Sequence, residues 1–200
     1  IDLVRETGVH VHFQHVSTAI SFDAIRRAKA EGLPITCETA PHYLALNDEA
    51  LLKYGTLAKM NPPLRSEQDR QATIAAIADG TVDMIATDHA PHSAEEKSRG
   101  LEKSLMGIVG LETAFPVLYT YMVQAGVMTM EKLVETMCVN PRKRFGIPQG
   151  KDFSVWDLGE AYTVDPETFK TMGRATPFAG HILRGKCLLT VVDGEVVYKA

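Results

Sequence analysis

The chain has 200 residues, 45% of them hydrophobic, enough to bury a substantial core and fold as a globular unit. Its 21 basic and 25 acidic residues leave a net charge of -4, which gives neither the basic footprint of a nucleic-acid binder nor the basic face of a membrane-surface protein. No apolar run approaches the roughly 20 residues of a membrane span, and Cys37, Cys138 and Cys187 are odd in number, far apart and match no metal spacing, as expected of reduced cytoplasmic thiols.

The chain opens Ile-Asp-Leu-Val-Arg-Glu-Thr-Gly, without an initiator Met or a signal peptide. This stretch reads as the tail of a helix stopped by Gly8 and feeding a strand, and the expectation is a piece of a longer protein. Residues 9–16 read as a strand, followed by a helix of about ten residues capped by Ser21 and ended by Gly32. Residues 33–39 read as a second strand. Ser66 and Asp69 resemble a capping box that opens a helix running to Gly80, and 82–87 reads as a third strand. Strand and helix in alternation predict a parallel α/β fold of the barrel kind. Segments 111–125 and 129–139 are amphipathic, with Thr129 as the cap of the second and Asn140-Pro141 as its end. After about residue 150 short polar strands and turns follow, with a hairpin of 188–192 and 195–198 about Asp193-Gly194. The expected division is therefore 1–150, part of a barrel, and 151–200, a small β-rich appendage.

Side chains alternate across a strand. In 9–16, Val11, Phe13 and His15 share one face, and His10, His12 and Gln14 share the other. If the apolar face fills the barrel interior, His15 arrives inward at the C-terminal end, where barrel active sites are built. His10 and His12 then face the helices as structural residues. In the third strand Val82, Met84, Ala86 and Asp88 share a face, again ending on a polar group. An imidazole and a carboxylate at that rim point to a metal site. By geometry alone, a helix-capping Asp and a His bonded to a backbone carbonyl explain the pattern equally well.

Five phrases add to this: His15-Val16-Ser17-Thr18, Glu38-Thr39-Ala40-Pro41-His42, Lys59-Met60-Asn61-Pro62-Pro63-Leu64-Arg65, Ala86-Thr87-Asp88-His89-Ala90-Pro91-His92 and Met106-Gly107-Ile108-Val109-Gly110-Leu111-Glu112-Thr113. In this order and spacing they resemble the signatures of bacterial type I dihydroorotases, members of the amidohydrolase superfamily, and Thr176-Pro177-Phe178 is a weaker match to a further one. The resemblance spans essentially the whole chain. It implies an α/β fold made of the last three strands and helices of a (β/α)8 amidohydrolase barrel, with a binuclear zinc centre. It implies the reversible cyclisation of N-carbamoyl-L-aspartate to L-dihydroorotate in pyrimidine biosynthesis, in the cytoplasm, by an enzyme that could be a homodimer and has no nucleic-acid or membrane partner. His15 resembles a metal ligand, Asp88 a metal ligand and catalytic base, and Asn61, His92, Met106 and Gly107 substrate contacts.

Physical reasons accompany these roles. The Asn61 amide both donates and accepts, as a ureide ring requires, and two prolines stiffen the segment after it. Gly107, lacking a side chain, lets a ligand approach the main chain. His42 and His89 read as packing residues or as neighbours supporting the site residues. Glu38 reads as a paired structural carboxylate in preference to a catalytic one, and Arg65 as ion-paired near the Pro-Pro turn in preference to touching a substrate carboxylate.

The family's opening His-x-His pair, its bridging acidic or carbamylated residue, its fifth-strand histidine and its main carboxylate-binding Arg have no counterpart in these 200 residues. This portion is accordingly expected to lack part of the active site and to be inactive alone, with its zinc absent or incomplete. Two other readings stay open: a hydantoinase or allantoinase on the same barrel, and a catalytically dead dihydroorotase-like scaffold.

Overall fold

In a computed structural model, which describes all 200 residues, two three-stranded sheets organise the chain. The first is parallel, in the order β1 (Val11–Phe13), β2 (Ile35–Thr39), β3 (Met84–Ile85). Its strands are shorter than the sequence pattern predicts, but the ladder runs past their ends. Val16 N donates to the Glu38 carbonyl and Ala86 N to the Thr39 carbonyl, each at 2.9 Å.

The sequence places most helix boundaries. Helix α1 (Asp2–Thr7) stops at Gly8, whose φ of 68° is the left-handed C-terminal cap expected of glycine. Helix α2 (Ala19–Ala30) is capped by Thr18, not by Ser21: the Ser21 amide is the donor that the Thr18 hydroxyl accepts. The short helices α3 (Pro41–Ala45) and α4 (Ala50–Tyr54) follow β2. Helix α5 (Glu67–Ala78) is capped by Ser66 through the Asp69 amide, as predicted. Helices α6 (Ala94–Lys97) and α7 (Gly100–Lys103) lie in the loop after β3. Helix α8 (Ala114–Leu118) continues as a π turn over Tyr119–Val123. Helix α9 (Met130–Val134), capped by Thr129, continues likewise over Glu135–Val139. Asn140-Pro141 does not end this run but opens α10 (Asn140–Phe145). A proline in the first helical turn has no hydrogen-bond obligation to break, so it is tolerated there.

Helices α2 and α5 cover one face of the sheet. Phe22, Ile25 and Ala28 from α2 and Ala76 and Ile77 from α5 pack with Ile35, Cys37 and Ile85, and Val11 and Phe13 press against the same cluster. This reverses the expected facing of β1. Its apolar side is the outer, helix-covered side, and His12 lies on the inner face with Thr36 and Glu38. The reason is that apolar helix faces need an apolar strand face, whereas the inner face near the rim carries polar chemistry. Helix α10 closes the N-terminal end, where Asn140 Nδ2 donates to the Asp83 carbonyl at 2.7 Å and Arg144 Nε to Thr36 Oγ1 at 2.9 Å.

The second sheet is antiparallel, β4 (Phe153–Thr163), β5 (Ile182–Val192), β6 (Glu195–Lys199). Two of its strands are 11 residues long, longer than the expected short ones. The hairpin turn falls at Asp193 and Gly194, both at positive φ (51° and 84°), as a two-residue I′ turn requires. This sheet docks on the α8 run: the Trp156 and Phe115 rings stand 4.3 Å apart, and Gly185 leaves room for Phe115. Val164, Phe178 and Leu183 join Ala40, Tyr43, Met60 and Ile108 in a second core. No helix is long and apolar enough to cross a membrane.

Candidate active site

Three strand ends meet at the C-terminal edge of the parallel sheet. His15 lies two residues past β1 and Asp88 three past β3, with β2 between them. Neither is a glycine, yet both hold a positive φ (54° and 48°). That backbone region is sparsely populated by ordinary residues and concentrates at functional sites. At His15 it also breaks strand alternation, so the imidazole turns onto the inner face although Val11 and Phe13 face outward.

The result is a compact polar cluster. His15 Nε2 is 3.7 Å from Asp88 Oδ1, and His15 Nδ1 is 3.4 Å from Glu38 Oε1. Glu38 Oε2 is 3.0 Å from His12 Nε2, whose other ring nitrogen is 2.9 Å from Thr36 Oγ1. His42, in the first turn of α3, places Nε2 3.5 Å from Asp88 Oδ2. Four buried polar atoms there, His15 Nδ1, Glu38 Oε1, Thr39 Oγ1 and His42 Nε2, have no hydrogen-bond partner. Buried polar groups are almost always satisfied, so this cluster is built to receive something.

The electrostatics agree. Burial raises the Asp88 pKa above the usual carboxylate value; the His15 charge opposes the shift and Glu38 adds to it. Burial, helped by His15, lowers His42 to about 3, so its imidazole is neutral at ordinary pH. A neutral imidazole nitrogen and an adjacent carboxylate are the donor types zinc takes. No group of three such side chains is close enough to enclose a metal by itself. The donors therefore fit part of a metal site.

The remaining candidates gather beside this cluster. Tyr43 stacks edge-on against His42 and donates its hydroxyl to the Pro62 carbonyl at 2.6 Å, tying the Asn61-Pro62 segment to the His42 side of the cluster. The Asn61–Pro62 peptide is cis, which the motif did not reveal. His92 Nε2 donates to the Met106 carbonyl at 2.9 Å, and Gly107 N donates to the Lys59 carbonyl at 3.0 Å. Residues 59–62, 92 and 106–107 thus form one connected rim. Gly107 has a steric reason of its own: at φ 137° a Cβ would sit 2.5 Å from the Ala90 Cβ.

His12, expected to face the helices, lies instead in the cluster, where it and His15 approach the same carboxylate. Glu38 is paired, as expected, with His12, and His42 supports the site by its approach to Asp88. Their signal in the sequence was weak, because strand alternation assumes regular φ and His15 breaks it. His10 remains exposed, one residue before β1. His89 is structural as expected: its Nδ1 accepts from the Gly110 and Leu111 amides at 3.0 and 3.2 Å. Arg65 has no ion pair. Its Nε points to Ser17 Oγ at 3.5 Å, and it lines a cleft of about 390 Å³ with His15, Thr18 and Pro62.

Residues 1–197 match the amidohydrolase family. The chain belongs to that family. As an amidohydrolase it is 49% identical over 205 residues to the dihydroorotase of Brevibacillus brevis, covering 98% of this chain and 48% of that protein. It is 46% identical to the dihydroorotase of Acetivibrio thermocellus, over 100% of this chain and 48% of that one. This amidohydrolase chain thus spans about half the length of the curated relatives it matches. Among solved structures, the L-hydantoinase (dihydropyrimidinase) of Arthrobacter aurescens superposes with a TM-score of 0.93 at 32% identity, over 98% of this chain and 46% of that one. The dihydropyrimidinase of Brevibacillus agri NCHU1002 has a TM-score of 0.91 at 23% identity, a likeness of fold. Three parallel strands with helices outside them are accordingly part of an amidohydrolase barrel.

Proposed function

We propose that this chain supplies the C-terminal part of a zinc-dependent dihydroorotase, which interconverts N-carbamoyl-L-aspartate and L-dihydroorotate in pyrimidine biosynthesis. The observation that carries the reading is the convergence of His15 and Asp88 on the inner face at the strand ends, 3.7 Å apart. It occurs in a chain 44–49% identical to bacterial dihydroorotases.

In this reading His15 Nε2 and an Asp88 oxygen would hold zinc, joined by ligands from the rest of the protein. Bound zinc supplies Lewis acidity that makes water nucleophilic near neutral pH. Glu38, whose Oε1 stands 3.4 Å from His15 Nδ1, is placed to orient His15 once a metal draws the ring into position, as carboxylates do for metal-bound histidines. Asp88 accepts the proton of the attacking water and returns it to the leaving ring nitrogen. In the cyclising direction it takes the proton of the attacking ureido nitrogen. Asn61, His92 and the Met106-Gly107 main chain would bind and orient the ring. The enzyme is cytoplasmic in this reading and acts on a small molecule.

The likeness to a hydantoinase at 32% identity favours a second reading, cyclic amide hydrolysis of hydantoins or dihydropyrimidines on the same machinery. The full-length polypeptide containing this chain should be assayed against dihydroorotate, hydantoin and dihydrouracil. Preference for dihydroorotate, lost by about 1–3 kcal/mol of transition-state binding in Asn61→Ala with zinc content intact, supports the proposal. Turnover of hydantoin without dihydroorotate selects the second reading.

A further inference from the structure

Lys97, at the end of α6, is only 3% exposed and has no carboxylate partner. Its ammonium points instead at three main-chain carbonyls: Lys59 O at 3.0 Å, Leu105 O at 3.0 Å and Gly107 O at 2.9 Å. An ammonium has three N–H donors, so all of them are used. The three carbonyls come from two separate stretches, one two residues before Asn61 and the other bracketing Met106. A buried lysine without a counter-ion is costly, and three neutral amide dipoles are the arrangement that makes its charge tolerable. Nothing in the chemistry proposed for His15 and Asp88 requires this group.

We infer that Lys97 is a positioning residue: it clamps the 59–61 segment against the 105–107 loop, so that Asn61 and the Met106-Gly107 main chain meet the substrate ring in one fixed register. The inference rests on the dihydroorotase reading for the identity of that ring. Two other features support the clamp. Gly107 N donates to the same Lys59 carbonyl that Lys97 grips, so the two stretches touch directly. Lys59 itself reaches across the loop, its Nζ donating to the Ser104 carbonyl at 2.6 Å and the Glu102 carbonyl at 3.3 Å. With neither lysine, only the Gly107 amide would join the loop to the 59–61 segment, the His92 ring and the Leu105 amide (to the Glu96 carbonyl, 3.3 Å) holding it elsewhere.

Burial pulls the Lys97 pKa down to about 8, with the Lys59 charge adding to the shift. The other charged or titratable groups on the surrounding elements are His92, Glu95, Glu96, Arg99, Glu102 and Lys103, and Lys59 is the one that moves this titration. Above pH 8 the neutral amine has two N–H donors for three carbonyls, so one bond of the clamp is lost.

The test uses the full-length polypeptide loaded with zinc. Lys97→Met keeps the length and removes the donors. It should raise KM for dihydroorotate about tenfold with kcat changed less than about threefold, because substrate register is disturbed and the metal chemistry is not. Zinc content should be unchanged. Wild-type KM should rise above pH 8, and Lys97→Arg, which does not titrate there, should show no such rise. A folded Lys97→Met enzyme with wild-type KM overturns the inference, as does a fall in kcat alone. If Lys97→Met does not fold, an identical alkaline rise in KM in wild type and Lys97→Arg overturns it. Failure of the functional reading looks different: the wild type would not turn over dihydroorotate, and the same KM comparison would then be made on the cyclic amide it does hydrolyse.

Discussion

His15 Nε2 stands 3.7 Å from Asp88 Oδ1, although β2 separates the strands that carry them. Each side chain reaches the meeting point from a left-handed backbone, φ 54° and 48°. Residues in that region persist only where their surroundings over-determine them, and here the surroundings are Glu38 and His42. In the full-length enzyme, His15→Ala and Asp88→Ala should each lower bound zinc sharply and abolish turnover. The double variant should be no worse than the worse single one, because the two act as a unit. Elemental analysis with steady-state kinetics measures this, and full zinc occupancy in either single variant would remove that residue from the metal site.

Glu38 lies between His12, to which it is bonded, and His15, 3.4 Å away, and in the proposed metal site it would orient the latter. Glu38→Gln keeps the shape but replaces one acceptor oxygen with a donor, so His15 loses its carboxylate partner. Zinc affinity or activity should fall about 10–100-fold. Competition with a chelator, followed by zinc titration, reads the affinity. Wild-type affinity and activity together would return Glu38 to the role of a paired structural carboxylate.

Packing alone is enough to require glycine at position 107. At φ 137° with the Ala90 Cβ 2.5 Å from any added Cβ, Gly107→Ala must shift both the 105–107 loop and Ala90. The cost in stability should be about 1–3 kcal/mol, read from the denaturant midpoint. Because the 106–107 main chain also moves, KM should rise. An unaltered midpoint would contradict the close packing of Gly107 on Ala90.

Cys37 is fully buried, its Sγ donating to the Thr81 carbonyl at 3.2 Å, and burial pushes its pKa up to about 12. Cys138 is exposed and Cys187 half-buried. A thiol-specific reagent at pH 8 should therefore modify Cys138 and Cys187 in the native protein, and Cys37 only after unfolding, because the thiolate is the reactive form. Peptide mapping by mass identifies the labelled positions. Early labelling of Cys37 would mean that the α2–β2 core opens far more readily than its packing implies.

By itself the sequence determined the local elements and the two rim residues. Gly8, Ser66, Thr129 and Asp193-Gly194 act through their own backbone or nearest neighbours, so caps and turns are legible without knowing the fold. The alternation of strand and helix pointed to the parallel sheet, and the motif wording pointed to His15 and Asp88. Tertiary structure alone decided which way β1 faces. Apolar and polar strand faces are distinguishable in a sequence, but which one meets the helices depends on what α2 and α5 present, and they present Phe22, Ile25 and Ile77. It also decided that His12, Glu38 and His42 join the site, since a left-handed φ at His15 breaks the period on which alternation relies. Lys97 was invisible for a related reason: its three partners are backbone carbonyls, which every residue carries, and only folding brings those of Lys59, Leu105 and Gly107 to one point.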